Sequence, residues 1–303
     1  MTEKKTTVIV VAYNHADYVV ECLESIRAQS RPAAEVLIAD DCSPDGRTVE
    51  VIRDYLEQHP GFGTLHANTH NMGLTRTLNA MLAKVTTEYV TYIAADDLMA
   101  LQRIETHQAL LDAASPDVPL AYSDATVIDK AGAVIGMSSE EFPWPEEPAR
   151  SESTLEQLVR TNWIPAASMF MRTRALKEAG GYAEDLFYED IELLTRLARH
   201  HSFTYSTEPL VAVRRLDTSL GAVGFDPKQP RFLRAQFVTL RNALGKSPEL
   251  DAEVYRLLWE TSVRARRIGS PRRETIRMTL TSLRGAPSLR SAVYRTLLAF
   301  LPG

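Results

Sequence analysis

The chain is 303 residues long, 45% hydrophobic and 24% charged, a composition that suits one large folded domain plus an appendage and excludes a disordered or fibrous protein. A net charge of −5 argues against a general nucleic-acid binder, and two cysteines, Cys22 and Cys42, are too few for a disulfide framework and fit no metal-ligand spacing. The opening MTEKKTTVIVVAYN leads from a short apolar run straight into a turn, and no run of about 18 apolar residues occurs, so neither secretion nor a membrane span is expected and a reducing, cytoplasmic setting is.

In chain order, the β-branched run Thr6–Ala12 predicts a first strand, and Tyr13-Asn14-His15 a turn. Val19, Cys22, Leu23 and Ile26 then recur at helical spacing, from Asp17 as the expected N-cap to about Ala28. A second strand is expected over Glu35–Ala39. It runs into Asp40-Asp41-Cys42-Ser43-Pro44-Asp45-Gly46, after which Val49, Ile52, Tyr55 and Leu56 mark a second helix. A third strand is expected near Gly63–Ala67 and a third helix through Leu74, Leu78, Met81, Leu82 and Val85, before a strand Tyr89–Ala94 that ends on Asp96-Asp97. Strands alternating with helices predict an α/β fold with a parallel sheet.

An open α/β sheet is packed on both faces, so ligands bind outside the carboxyl ends of its strands, where the loops converge. Here three strands end in Tyr13-Asn14, Asp40-Asp41 and Asp96-Asp97. Neither the dinucleotide-binding glycine pattern nor a P-loop accompanies them, which leaves a carboxylate-held divalent cation, Mg²⁺ or Mn²⁺, as the common alternative for holding phosphate.

Beyond about Leu120 the elements shorten. A hairpin is expected to turn at Asp129–Gly132, and the Pro- and Glu-rich stretch Ser138–Arg150 reads as a loop suited to a mobile flap. A strand over Ala167–Arg172, a short helix ending at Gly180-Gly181 and a helix from about Asp190 to Arg199 follow. Residues 231–303 read as almost wholly helical, with breaks near Gly245, Gly269–Pro271 and Gly285–Pro287. That segment holds 14 Lys and Arg against 5 Asp and Glu, a charge of +9, while residues 1–230 carry −14.

VIVVAYNHADYVVECLESIRAQ, EVLIADDCSPDGRT, NMGLTRTLN, EYVTYIAADD and GGYAEDLFYEDIELLTRLA occur in the order and spacing of the family 2 glycosyltransferases, and roughly residues 6–215 resemble that family. The resemblance implies a GT-A fold: a Rossmann-like mixed sheet flanked by helices. The expected catalytic domain is 1–230, with a nucleotide-binding half to about 120 and an acceptor half beyond it. Residues 231–303 form a basic helical appendage. The implied activity is inverting transfer of a sugar from a nucleoside-diphosphate sugar, UDP- or dTDP-linked by preference, to a hydroxyl of a glycan or lipid-linked glycan in bacterial surface polysaccharide synthesis, with a divalent cation on the diphosphate.

By the same resemblance, Val11, Ala12, Tyr13 and Asn14 line the nucleoside, Tyr13 packing on the base, and Asp41 accepts the base N3–H with Asp40 beside it. Arg76 lies near base and phosphates, Asp96 touches ribose or metal, Asp97 coordinates the metal, and Asp190, preceded by Glu189, is the catalytic base. A sugar hydroxyl needs such a base because it is a poor nucleophile at neutral pH, and the departing diphosphate needs positive charge. Two departures are visible. Ala94 stands where many members carry a further acid, and Val213-Arg214-Arg215-Leu216 lacks a late histidine, leaving Arg214 or Arg215 to meet the phosphates. Trp163 and Glu189 are candidate acceptor contacts, in a pocket expected to involve Ser138–Arg150, Asn162–Ala167 and the tail.

Plainer readings stand beside these. Asp40-Asp41 suits a turn and helix cap, Asp190 a helix N-terminus, Trp163 and Trp144 the core, and His200-His201 a solvated helix end. Residues 231–303 suit packing on the catalytic domain, a homo-oligomer contact or a peripheral membrane contact at the inner face of the cell membrane. A nucleotide-binding scaffold without turnover, and transfer to a polyprenyl phosphate, are the alternative functions.

Overall fold

The computed structural model describes residues 5–146, 151–217, 219, 226 and 228–300. One mixed sheet organises the chain, with strand order β3-β2-β1-β4-β8-β6-β9-β5 and β7 paired to β6 at the side. Its strands are β1 (Thr6–Ala12), β2 (Glu35–Asp40), β3 (Thr64–Ala67), β4 (Tyr89–Ala94), β5 (Leu98–Met99), β6 (Leu120–Ile128), β7 (Val134–Met137), β8 (Phe170–Arg172) and β9 (Thr204–Arg214). The parallel sheet expected for the N-terminal part is β3-β2-β1-β4, and the antiparallel insertion of β8 beside β4 converts it to a mixed sheet.

Helices α1 (Val19–Arg27), α2 (Thr48–Gln58), α3 (Leu74–Leu82) and α4 (Arg103–Ala113) serve this half. They are followed by α5 (Ser138–Glu141), α6 (Ser151–Arg160), α7 (Thr173–Glu178), α8 (Asp190–Ala198), α9 (Pro230–Asn242), α10 (Pro248–Arg267), α11 (Arg272–Ser282) and α12 (Leu289–Phe300). Every residue of β1 is buried, as a strand covered on both faces requires, and its apolar side chains divide between two cores. Val8 and Val10 pack with Val19, Leu23 and Ile26 of α1, whereas Ile9 and Val11 pack with Leu78 and Met81 of α3. Each such side chain fully buried contributes about 1.5–3 kcal/mol.

The second core continues into the basic segment. Leu233, Phe237 and Leu240 of α9 and Val254 and Leu258 of α10 belong to the cluster that holds Leu193, Leu194 and Leu197 of α8. Opposite charges reinforce it at the surface, where Arg160 of α6 meets Glu253 of α10 at 2.8 Å.

Several expectations need correction. Asp17 does not cap α1. Its carboxylate pairs with Arg47 at 3.0 Å, and the amides of Tyr18 and Val19 close on the His15 carbonyl instead. The expected loop Ser138–Arg150 begins as a helical turn, α5, because Asp124 accepts bonds from both the amide and hydroxyl of Ser139; residues 147–150 lie outside the described residues. Ala166–Ser168 is a 3-10 turn, so β8 starts only at Phe170. β5 and α4 have no counterpart in the sequence reading. The inward face of α4 carries Arg103, His107 and Gln108 beside Ile104 and Leu111, which erases the apolar stripe by which a helix is read.

Candidate active site

Register brings three strand ends level: Ala12 lies opposite Asp40, and Val11 opposite Ala94. Pairing runs one residue further, since the amide of Asp41 donates to the Ala12 carbonyl and that of Ala95 to the Val11 carbonyl, both at 2.9 Å. Tyr13-Asn14, Asp41 and Asp96-Asp97 therefore gather on one edge although Tyr13 and Asp97 are 84 positions apart in the chain. Tyr13 is 42% exposed there, open to stack against a planar ligand.

The loops after β1 and β2 are held in a strained conformation. Asn14 has φ +60° and Cys42 φ +61°, both in the left-handed region, and the Asn14 amide donates to Ser43 Oγ at 2.9 Å. Such a conformation is uncommon for a non-glycine residue, costs on the order of 1–3 kcal/mol, and clusters at ligand sites. Cys42 is thus a shaped element of the loop, and nothing in its residue type signals that.

The two acids of Asp40-Asp41 separate in role. Asp40 closes its own turn, accepting from the Ser43 amide at 2.9 Å and the Ser43 hydroxyl at 2.5 Å, as the turn reading expects. Asp41 reaches across to the loop that opens α3, accepting from Asn68 Nδ2, the Met72 amide and the Gly73 amide, each at 2.8 Å. Gly73 makes this possible with φ +83°. A carboxylate accepts about four hydrogen bonds, so Asp41 retains acceptor capacity for one donor, as a base N–H requires.

Asp96 and Asp97 are 5% and 6% exposed. Asp97 Oδ1 accepts the Arg214 amide at 2.8 Å, and burial, then the charge of Asp96, pushes its carboxyl well above the usual range. His15, not singled out from sequence, brings Nε2 to 3.7 Å from Asp96 Oδ2. Behind the pair stands Arg103, fully buried, donating from Nη2 to Thr91 Oγ1 at 2.6 Å and to the Ala167 carbonyl at 2.5 Å, its pKa lowered to about 10 by desolvation. Two buried hard-oxygen donors side by side fit a divalent cation that would complete its shell with water and phosphate. Among the described residues no group of three or more His, Cys, Asp and Glu converges to hold a metal by itself.

The basic residues are placed otherwise than expected. The Arg214 guanidinium is buried and makes four hydrogen bonds, donating to the Asp96 carbonyl at 2.8 Å, to the Asp129 and Lys130 carbonyls at 3.2 Å and to Glu21 at 2.6 Å, while stacking over Tyr18. It shapes the Asp96-Asp97 turn rather than facing a phosphate. Arg215 is exposed and paired with Glu141, and Arg76 is exposed 3.9 Å from Glu184.

Asp190 opens α8 with Oδ2 accepting from Asn162 Nδ2 at 3.0 Å, while Oδ1 is covered and has no hydrogen-bond partner among the described residues. Burial raises its pKa, outweighing the amides of Asp190 and Ile191 and the Asn162 bond that lower it. The helix N-terminus alone does not set its ionisation. Glu189 points the other way, into the core, where Tyr92 Oη donates to it; burial and the Asp190 charge push it up to about 7. Trp163, 2% exposed and bonded through Nε1 to Tyr122 Oη at 3.2 Å, is core rather than acceptor surface. Trp144 joins Tyr122 and Tyr205 in an aromatic cluster with ring centroids 5.3 Å away from each.

Asn79 of α3 ties the two sides together. Its amide group donates to the Tyr182 carbonyl and accepts from the Tyr182 amide, both at 2.9 Å, the pairing a β-strand would make. Gly181, at φ +71°, allows it, since a Cβ there would collide with Asn79 Oδ1.

The profile of Glycosyl transferase family 2 matches residues 7–175, more than half of the chain, and the protein belongs to that family. It is 30% identical over 119 residues to poly(ribitol-phosphate) beta-N-acetylglucosaminyltransferase TarS of Staphylococcus aureus strain Mu50, covering 38% of this chain and 20% of TarS. It is likewise 30% identical over 106 residues to glycosyltransferase GlyA of Streptococcus pneumoniae serotype 4, covering 35% of this chain and 15% of GlyA. These matches span far less than two thirds of either relative.

Among solved structures, TarS residues 1–349 of S. aureus in complex with UDP-GlcNAc superposes with a TM-score of 0.61 and 18% identity, covering 98% of this chain and 89% of that one. Mannosyltransferase PcManGT from Pyrobaculum calidifontis, in complex with GDP-Man and Mn²⁺, superposes with a TM-score of 0.58 and 23% identity, covering 98% and 80%. At such identities the likeness establishes a shared fold.

Proposed function

We propose that the protein transfers a sugar, with inversion, from a nucleoside-diphosphate donor to a hydroxyl of a glycan or lipid-linked glycan, in the assembly of a surface polysaccharide. The observation that carries the reading is a set of acids: an edge where Tyr13, Asp41 and Asp96-Asp97 follow the ends of three strands, and a further carboxylate, Asp190, held through one oxygen by Asn162 and without a hydrogen-bond partner at the other among the described residues. A pyrimidine base stacks on Tyr13 and donates its N–H to Asp41, so UDP- or dTDP-sugars are the favoured donors. TarS with UDP-GlcNAc and PcManGT with GDP-Man supply the precedent of nucleotide-sugar binding on this fold.

Asp190 Oδ1 takes the proton of the acceptor hydroxyl as its oxygen attacks the anomeric carbon, and Asn162 keeps the carboxylate turned to do so. Attack from the side opposite the diphosphate inverts the centre, and no protein nucleophile is needed. Asp96 and Asp97 would hold Mn²⁺ or Mg²⁺, which supplies positive charge to the departing diphosphate. Arg103 keeps a permanent charge behind those acids.

Calorimetric titration with UDP, dTDP and GDP, with and without Mn²⁺, tests the donor side. The expected result is binding of one pyrimidine nucleotide at least tenfold tighter with metal; no binding by any nucleotide would refute it. With a sugar nucleotide supplied, release of intact nucleoside diphosphate is expected, and release of pyrophosphate would exclude glycosyl transfer.

A further inference from the structure

Helix α12 is mounted with a polar side inward and an apolar side outward. Arg295, 7% exposed, lays its guanidinium over the Trp259 ring, 4.5 Å from the centroid, and donates to the Ser282 carbonyl at 2.9 Å. Arg266 donates to the Leu298 carbonyl and Arg272 to that of Phe300, the latter at 3.0 Å, which holds the helix C-terminus against α10 and α11. With these anchors the helix cannot roll to bury its apolar residues without breaking them.

Leu289, Val293, Leu297 and Phe300, spaced at four, four and three residues, form one stripe, and they are 83%, 51%, 60% and 55% exposed, with Tyr294 beside them at 59%. Among the described residues nothing covers this face. The surface flanking it is basic: no Asp or Glu follows Glu274 in the sequence, and Arg277, Arg284 and Arg290 are exposed. Among the described residues no helix is long and apolar enough to cross a membrane.

We propose that this face docks on an anionic phospholipid surface, the stripe entering the boundary between headgroups and acyl chains and the arginines meeting lipid phosphates. A second copy fits less well. A two-fold contact would set one +9 segment against another.

The experiment is flotation of the full chain with vesicles of phosphatidylcholine, alone or mixed with phosphatidylglycerol. Binding is expected with the mixed vesicles only, weakening as salt rises. Val293→Ser with Leu297→Ser should reduce it about tenfold or more, and Arg284→Gln with Arg290→Gln about tenfold, with melting temperatures unchanged because all four side chains are exposed or near the surface. No binding, equal binding to both vesicle types, or binding indifferent to both double variants would overturn the proposal. A lipid-free dimer in sedimentation velocity that the Val293 and Leu297 substitutions dissociate would assign the face to a second copy instead.

Discussion

The donor edge and the Asp190 side are built from different materials. At the donor edge the acids sit on loops locked to strand ends by backbone amides, as with Asp41 on Met72 and Gly73 and Asp97 on Arg214. On the other side Glu189 and Asp190 depend on single side-chain partners, Tyr92 and Asn162, reaching from β4 and from the segment after α6. A site held by backbone tolerates side-chain change around it. One held by side chains is tuned by them, in orientation and in proton affinity.

The largest effect should come from Asp190→Asn, which is expected to lower turnover about a thousandfold while leaving nucleotide affinity unchanged, as read by transfer assay and calorimetry together. Turnover equal to the parent would remove the proposed base. Asp97→Ala should weaken the Mn²⁺-dependent part of nucleotide binding by about tenfold or more and spare the metal-free part. Loss of both parts alike would mean that Asp97 holds the loop rather than a cation.

Asn162→Ala tests the single-partner support. With the donor to Asp190 gone, kcat should fall about tenfold with KM little changed, and the acid limb of the pH–rate profile should move to higher pH because a bond favouring the ionised carboxylate is lost. An unshifted limb would reduce Asn162 to a packing role.

The smallest effect concerns stability. Glu189 is raised from 4.5 to about 7, so the folded chain holds that proton more tightly than the unfolded one; its carboxyl is favourable at low pH and increasingly costly between those values. Glu189→Gln should therefore raise the melting temperature by a few degrees, about 2 °C or more, at about pH 8, and by less at about pH 5. An equal change at both would place the effect in packing with Tyr92 rather than in ionisation.

Much of the fold was legible because its signals are local. β1 and β4 coincide with their expected bounds, the hairpin turns at Asp129–Gly132, and the breaks at Gly245 and Gly269–Pro271 separate α9, α10 and α11 as expected. α4 was illegible because its buried face includes an arginine and a histidine, residues that a pattern assigns to solvent. Trp163 and Arg214 show the converse failure. Aromatic and cationic residues near a motif suggest ligand contact, yet one completes a core and the other takes three carbonyls from two loops as its partners.

The sequence by itself determined the family, the order of strand and helix, and the acids that end the strands, because periodicity and strand-end chemistry act over a few residues. The tertiary structure alone decided which oxygen of Asp190 lacks a hydrogen-bond partner among the described residues, that Glu189 turns inward to Tyr92, and that α12 faces its apolar stripe outward. Burial and hydrogen-bond partnership are set by residues distant in the chain. Leu289 to Phe300 are the same letters whichever way the helix is rolled, and the anchoring arginines, one of them 29 residues upstream in α10 of the residue that lies over Trp259, fix the roll.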